Sequence, residues 1–104
     1  MIATYAREFV AIGKFLREHG TCKGEHILVD KDVLKEMMNR NRYDTADNKL
    51  KIWKALHWIT PEDGRRMTKR VYNPDTGRYD PKIAMDLEVL DMLEQLQERK
   101  KAVE

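Results

Sequence analysis

The chain of 104 residues contains no serine, one cysteine, three prolines and five glycines. Without serine, and with its only thiol at Cys22, it has no Ser or Cys beside a His in a nucleophile motif. It also has no glycine-rich phosphate loop and no H-E-x-x-H pattern. The sequence therefore predicts a protein that is not an enzyme. A lone cysteine cannot form an internal disulfide, which agrees with a reducing compartment.

Long hydrophobic runs are missing as well. No apolar run approaches the roughly 18 to 20 residues that a membrane-spanning helix requires. The first residues, Met1 to Tyr5, do not follow the pattern of a secretory signal peptide. We therefore expect a cytoplasmic protein with one domain over residues 1–104. Hydrophobic residues make up 41% of the chain and charged residues 37%, which is enough apolar material for one core.

Residues that could bind a metal are few. His19, Cys22 and His26 lie within eight residues of one another. A structural zinc site normally needs four nitrogen or sulfur ligands in paired spacings, and this set holds a single thiolate. Glu25 or His57 could complete a set only if folding brought it near. We interpret these residues as connector residues and expect no metal and no other cofactor.

Positive charge is concentrated in one part of the chain. The net charge is only +2, but residues 40–78 carry ten basic residues against five acidic ones. Residues 79–104, in contrast, carry four basic residues against seven acidic ones. A nucleic-acid-binding protein needs a basic surface where phosphates lie, whatever its overall charge. The basic segment therefore points to a nucleic-acid partner; the alternative is that these residues form the solvated faces of a helix and a hairpin.

Apolar periodicity and capping residues predict helices alternating with short strands. Phe9 and Ile12, for example, lie on one face of the first helix. Asp30 can cap the second helix, and either Asp44 or Thr45 can cap the third. The predicted elements in chain order are a helix over 3–19, a polar connector over 21–25, a strand over 26–29, a helix over 31–39, a helix over 45–58, a hairpin over 67–83 and a helix over 84–101.

Turn residues mark the hairpin. Residues 73–77 read Asn-Pro-Asp-Thr-Gly, which is the chemistry of a four- or five-residue connection between strands. We therefore expect Tyr72 and Tyr79 to pair across the strands. Pro81 cannot donate a backbone hydrogen bond, so it places the return strand at an edge or shortens it.

The third predicted helix has an apolar face. Its inward face is expected to hold Ile52, Ala55, Leu56 and Ile59. Trp53 and Trp58 lie beside these residues at helical spacing. A tryptophan could stack on an exposed base, but in this position it is more often part of a core. We interpret both as core residues.

The order helix, strand, helix, turn, helix, hairpin, helix resembles the winged helix-turn-helix family over nearly the whole chain. The resemblance rests on order and spacing, and it implies a mainly α fold with a small β-hairpin (α+β). In that family the helix after the turn lies in the major groove, and the hairpin wing contacts the backbone or the minor groove. By position, the recognition helix is 45–58 and the wing is 67–83. The resemblance therefore implies sequence-specific binding of double-stranded DNA.

The implied contacts fall into two kinds. Phosphate contacts give affinity but no sequence information, whereas contacts to base edges give specificity. Candidates for phosphate contacts are Arg40, Arg42, Lys69, Arg70 and Arg78. Candidates that face the groove are Asn48, Lys49, Lys51 and Lys54. Tyr43 either donates its hydroxyl to a phosphate or covers the edge of the core, and Thr45 completes the candidate DNA-binding set. Asp47 departs from the pattern, because it would repel phosphate unless it caps the helix.

The last predicted helix has more apolar surface than one small core needs. Val89, Met92, Leu93 and Leu96 fall in one arc of this helix. Leu87 and Leu90 fall outside that arc, and we expect them to form a homodimer interface. Such a protein would be a transcriptional regulator or an accessory factor at an origin of a plasmid or phage. The rival interpretation is a protein–protein interaction module that uses the apolar C-terminal helix and has no nucleic-acid role.

Overall fold

The computed structural model describes residues 2–103, and the side chains of residues 2–99. Over that range the chain is an α+β fold of four helices and one four-stranded antiparallel sheet in the order β1-β2-β4-β3. None of the helices described is long and apolar enough to cross a bilayer. The elements are α1 (Ile2–His19), β1 (Thr21–Lys23), β2 (His26–Val29), α2 (Lys31–Met38), α3 (Ala46–Ala55), β3 (Lys69–Asn73), β4 (Arg78–Asp86) and α4 (Leu87–Val103).

The core lies between the helices and one face of the sheet. Phe9 of α1 is fully buried, and its ring centroid lies 4.9 Å from that of Trp53 and 5.3 Å from that of Trp58. Both tryptophans are buried, so their interpretation as core residues is confirmed. Burying a large apolar side chain of this kind stabilises the fold by about 1.5–3 kcal/mol. The sheet contributes Ile27 and Ile83 to the same core.

The segment after α1 is a strand where the sequence predicted a connector. β1 pairs with β2 in a short hairpin in which Cys22 lies opposite Ile27. Gly24 closes the turn with a φ of 60°, a conformation that costs glycine little. All three residues of β1 are exposed. No apolar alternation therefore marked this strand in the sequence.

Helix α3 begins where it was predicted and ends three residues earlier. His57 adopts a φ of 60°, and the backbone N–H of Trp58 donates to the carbonyl of Trp53. The N–H of His57 donates to the carbonyl of Lys54. This pair of bonds is the Schellman arrangement that terminates a helix. Ile59 follows as extended chain and bridges to Met85, so it joins the sheet and not the helix.

The inward face of α3 is rotated from the predicted one. Ala46, Lys49, Leu50 and Trp53 are the buried residues of this helix. Ala55, which was predicted to face inward, is exposed, and Ile52 and Leu56 are half-buried. The helix therefore turns Leu50 and Trp53 toward the core.

The predicted hairpin is present. Tyr72 lies opposite Tyr79, as predicted, and Gly77 closes the turn with a φ of 69°. β4 has a neighbour on each side at Met85, where β2 pairs with it and Ile59 bridges to it, but around Pro81 it pairs with β3 alone. The proline therefore lies in the part of the strand that has no neighbour on one side.

Helix α4 begins at Leu87, three residues later than predicted. Ala84 and Met85, which were expected in its first turn, are strand residues paired with β2. Asp86 ends the strand, and its carboxylate accepts the N–H of Val89 at 3.0 Å. That bond caps the helix in the manner of an N-terminal aspartate.

The predicted faces of α4 are wrong. Leu90 is fully buried against α1, where Gly13 leaves room for its side chain. Leu87 is half-buried and packs against the core. Both residues therefore pack in or against the core, and they are not the surplus apolar residues that the sequence predicted for a homodimer interface. The apolar residues that α4 exposes are Met92 and Leu96, with 51% and 49% of their surface accessible.

Candidate nucleic-acid interface

The turn between α2 and α3 is fixed to α1 by a buried ion pair. Lys49 of α3 is fully buried, and its Nζ lies 3.0 Å from Oε1 of Glu8. The same ammonium donates to the carbonyls of Met38 and Asn41, both at 2.6 Å. Three acceptors therefore match its three N–H donors. Because one of these carbonyls ends α2 and the other lies in the turn, the ammonium joins three parts of the chain.

The prediction that Lys49 faces a DNA groove is wrong. Its Nζ points into the protein and lies 4.3 Å from the centre of the Tyr43 ring, in a cation–π contact. A lysine on an amphipathic helix usually faces water, and the sequence offered no sign of its buried partner. Glu8 is 41 residues away and reads as a surface position of α1.

Tyr43 uses its hydroxyl inside the protein. The hydroxyl donates to Oε1 of Glu8 at 2.7 Å, and the ring meets that of Tyr5 edge-on at 5.2 Å. Burial and the nearby carboxylate raise the pKa of the Tyr43 hydroxyl above its usual range. Of the two roles considered for Tyr43, covering the core edge is the one that its contacts fit. The hydroxyl is not directed toward a phosphate outside.

Short-range hydrogen bonds cap the N-terminus of α3. The Thr45 hydroxyl accepts the backbone N–H of Asn48 at 3.2 Å, as predicted for a capping residue. The carboxylate of Asp44 accepts from the side chain of Asn48 and from the Tyr5 hydroxyl. These bonds lower the pKa of Asp44, the bond from Tyr5 contributing most. Thr45 and Asn48 are exposed at the helix start, but their polar groups already serve the cap.

Acidic residues of the basic segment are mostly engaged with partners. Asp47 lies 2.9 Å from the ammonium of Lys35, which lowers the pKa of the Asp47 carboxyl. Its charge is therefore compensated by α2, although Asp47 does not cap the helix. The remaining pairs are Glu62 with Arg70 at 3.0 Å and Asp63 with Arg66 at 3.9 Å.

Several cations of the same segment have no acidic partner. Lys51 is exposed on α3, and Arg42 is exposed in the turn before it. Among the side chains described, residues 2–99, neither one forms an ion pair. The full set of such cations between residues 40 and 78 is Arg40, Arg42, Lys51, Lys54, Arg65, Lys69 and Arg78.

A loop joins the end of α3 to the base of the hairpin. Lys54 donates to the carbonyl of Gly64 at 2.6 Å, so its ammonium is anchored in that loop. Arg70 is exposed, and its guanidinium bonds both carboxylate oxygens of Glu62 at 3.0 and 3.2 Å. Lys69 is half-buried, whereas Arg78 at the far end of the hairpin is exposed.

The three possible metal ligands near β1 do not converge. His26 lies with its Nε2 3.2 Å from the Thr60 hydroxyl, and His19 packs beside Phe15. Cys22 is exposed. Within residues 2–103, no group of three or more His, Cys, Asp or Glu side chains is placed to hold a metal ion.

Two features of this region were not expected from the sequence. Arg65 was counted in the basic segment but not among the candidate contacts, although its side chain is exposed. Tyr72 and Tyr79 were expected to pair, but not to expose 48% and 65% of their surface. The available signal was the position of both tyrosines beside the polar turn of residues 73–77.

No protein-family model matches this chain, and no curated protein is detectably similar to it.

Proposed function

We propose that this protein binds double-stranded DNA as a winged helix-turn-helix domain, with α3 as the recognition helix and the β3–β4 hairpin as the wing. It acts by binding and not by catalysis, in the cytoplasm, as a sequence-specific regulator of transcription or an accessory factor at an origin. The observation that carries the proposal is the set of cations on α3, the turn before it and the hairpin that form no ion pair with any side chain of residues 2–99.

The arrangement of elements supports the proposal. A short turn joins α2 to α3, and the hairpin follows α3 along the chain. The hairpin reaches beyond the rest of the sheet, since β4 residues 78–82 pair with β3 alone. A helix and a protruding hairpin at successive positions are the two elements with which this class of domain contacts a duplex.

The charges of residues 40–78 also support the proposal. Four of the five acids between residues 40 and 78 have a cation or a hydrogen-bond donor beside them. The ion pairs remove three cations and three acids from this segment, since Lys35 offsets Asp47 and Glu8 offsets Lys49, so the remaining charges still give a net of +5. Such a charge attracts phosphates and speeds association with DNA. Asp75, at the tip of the hairpin, is the remaining acid.

The rigid turn gives the contact residues fixed positions. Because Lys49 binds both Met38 and Asn41 through their carbonyls, the backbone of the turn cannot shift without breaking hydrogen bonds of a buried ammonium. Arg42 lies in this turn and Lys51 follows on α3. In this account Lys51 reaches base edges or phosphates in the groove, and Arg42 contacts the backbone beside it.

The protein binds as a homodimer through α4. Met92 and Leu96 are one helical turn apart and half exposed, which leaves an apolar stripe on this helix. Asp91 and Glu94 of this helix form ion pairs with Arg17 of α1, so the stripe of Met92 and Leu96 is the part of α4 proposed as the contact. A second copy of this chain is the occupant proposed for it.

Charge neutralisation on the proposed surface tests the function. Arg42→Gln with Lys51→Gln removes two exposed cations that have no ion-pair partner in the described part of the chain. We expect this double variant to bind duplex DNA on the order of tenfold more weakly at low salt. The slope of log affinity against log salt should fall by about two, since each phosphate contact contributes about one.

The matched control removes the same charge elsewhere. Arg7→Gln with Lys14→Gln changes two exposed cations of α1, outside the proposed surface and outside α4. This variant should keep the affinity and the salt slope of the wild type. Equal losses in both double variants would mean that only net charge matters, and the assignment of α3 would be wrong.

A further inference from the structure

Two exposed tyrosines form one continuous aromatic surface on the hairpin. Tyr72 and Tyr79 lie directly opposite each other, so both rings stand on the same face of the strands. Their centroids are 5.4 Å apart, and their planes are inclined by 63°. In this edge-to-face arrangement, the side of each ring that points away from the pair is not covered by its partner.

The core does not explain this pair. Tyr72 exposes 48% of its surface and Tyr79 exposes 65%, and neither belongs to the buried cluster. Within the described residues, neither hydroxyl has a hydrogen-bond partner in the protein. The two rings are therefore held in place by each other and by the strands, while their outer faces are open to a ligand.

The charge around the pair indicates what that ligand is. Arg70 lies on the same face of the hairpin, but its guanidinium is held by Glu62. Both tyrosines line an open depression together with Lys23, Lys69 and Glu25, and among the side chains described neither lysine forms an ion pair. Flat aromatic rings within a cationic surface match unpaired nucleobases joined by phosphates.

We infer that Tyr72 and Tyr79 form a stacking platform for unpaired bases, and that this protein binds duplex DNA next to a single-stranded stretch. The inference deepens the proposed function and rests on it. In the same complex, α3 holds the duplex, and the hairpin holds the bases that leave it. Stacking is tolerant of sequence, since every base has a flat face. The platform therefore selects DNA by its strandedness.

Three DNA probes of equal duplex length test this inference by fluorescence anisotropy. One is a blunt duplex, one carries a single-stranded tail of several thymines, and one carries an abasic tail with the same number of phosphates. We expect the wild type to bind the thymine-tailed duplex on the order of tenfold more tightly than the other two. That preference corresponds to the lower end of the stacking energy of one base.

Two variants assign the preference to the rings. Tyr72→Phe with Tyr79→Phe keeps both rings and should keep the preference. Tyr72→Leu with Tyr79→Leu keeps apolar side chains across the strands but should bind all three probes as the wild type binds the blunt duplex. Circular dichroism spectra that match the wild type will show that both variants are folded.

The outcomes separate this inference from the proposed function. Wild-type binding that is equal for the thymine tail and the abasic tail would overturn the platform and leave duplex binding intact. A tail preference that survives the leucine pair would overturn the role of the rings. Failure of the wild type to bind even the blunt duplex would overturn both, because the platform depends on the duplex contact.

Discussion

Lys49 and Glu8 form an ion pair in the interior, with Nζ and Oε1 3.0 Å apart and side chains that are 0% and 3% exposed. Burying two charges is costly and is compensated only when every donor and acceptor has a partner. Here the ammonium has two carbonyl acceptors besides Glu8, and the carboxylate also accepts from Asn41 and Tyr43. This pair fixes the turn that precedes the proposed recognition helix.

Removing the cation should destabilise the fold strongly. Lys49→Met leaves Glu8 as a buried carboxylate without its counter-charge, and it also removes the ammonium that donates to the carbonyls of Met38 and Asn41. We expect the free energy of unfolding to fall by about 3–5 kcal/mol. Urea denaturation measures this change. The control Lys51→Met, on the exposed face of the same helix, should stay within about 0.5 kcal/mol of the wild type; a similarly small effect at Lys49 would contradict the account.

Much of the fold could be predicted from local signals. The bounds of α1, β2 and α2 follow from apolar spacing and stop residues, and the hairpin follows from its turn chemistry. The buried state of Lys49 could not be predicted, because it depends on Glu8, which is distant in the chain. The inward face of α4 could not be predicted either, because this helix has apolar residues on all sides. Only the contact with Gly13 shows that Leu90 faces inward.

A left-handed residue ends α3. His57 has a φ of 60°, which is unfavourable for a residue with a Cβ atom. His57→Gly should therefore raise the free energy of unfolding by roughly 0.5–1 kcal/mol, even after the extra freedom of glycine in the unfolded chain is counted. His57→Ala keeps the Cβ atom and should bring no gain. Equal stabilities of the two variants in urea denaturation would show that the backbone strain at His57 is negligible.

Acid should weaken the start of α3. The hydrogen bonds from Tyr5 and Asn48 hold the pKa of Asp44 below its ordinary value of 3.8. A carboxyl with a lowered pKa stabilises the folded state above the unfolded pKa, and this contribution is lost as the pH falls through the folded pKa. The wild type should therefore lose stability below about pH 3.8.

The variant Asp44→Asn isolates this effect. It cannot titrate, so its loss of stability between pH 7 and pH 3 should be smaller than that of the wild type. Urea denaturation at the two pH values gives the comparison. Identical losses in wild type and variant would exclude Asp44 as a source of the acid sensitivity.

The apolar stripe of α4 should control the oligomeric state. Met92→Glu with Leu96→Glu places charges on the proposed dimer contact and should give a monomer, whereas the wild type is expected to be a dimer at tens of micromolar. Light scattering reports the mass. The control Val33→Glu alters an exposed apolar residue of α2 and should remain dimeric. A monomeric wild type would refute the dimer, without bearing on whether the monomer binds DNA.

Binding of duplex DNA by the basic segment is tested by the affinity of the wild type for a random duplex over a series of salt concentrations. Neutralisation of phosphates predicts measurable binding at low salt and a steep linear fall of log affinity with log salt. Absence of duplex binding at low salt would contradict the account. It would favour a module that binds a protein through the apolar stripe of α4, an interface that salt affects far less.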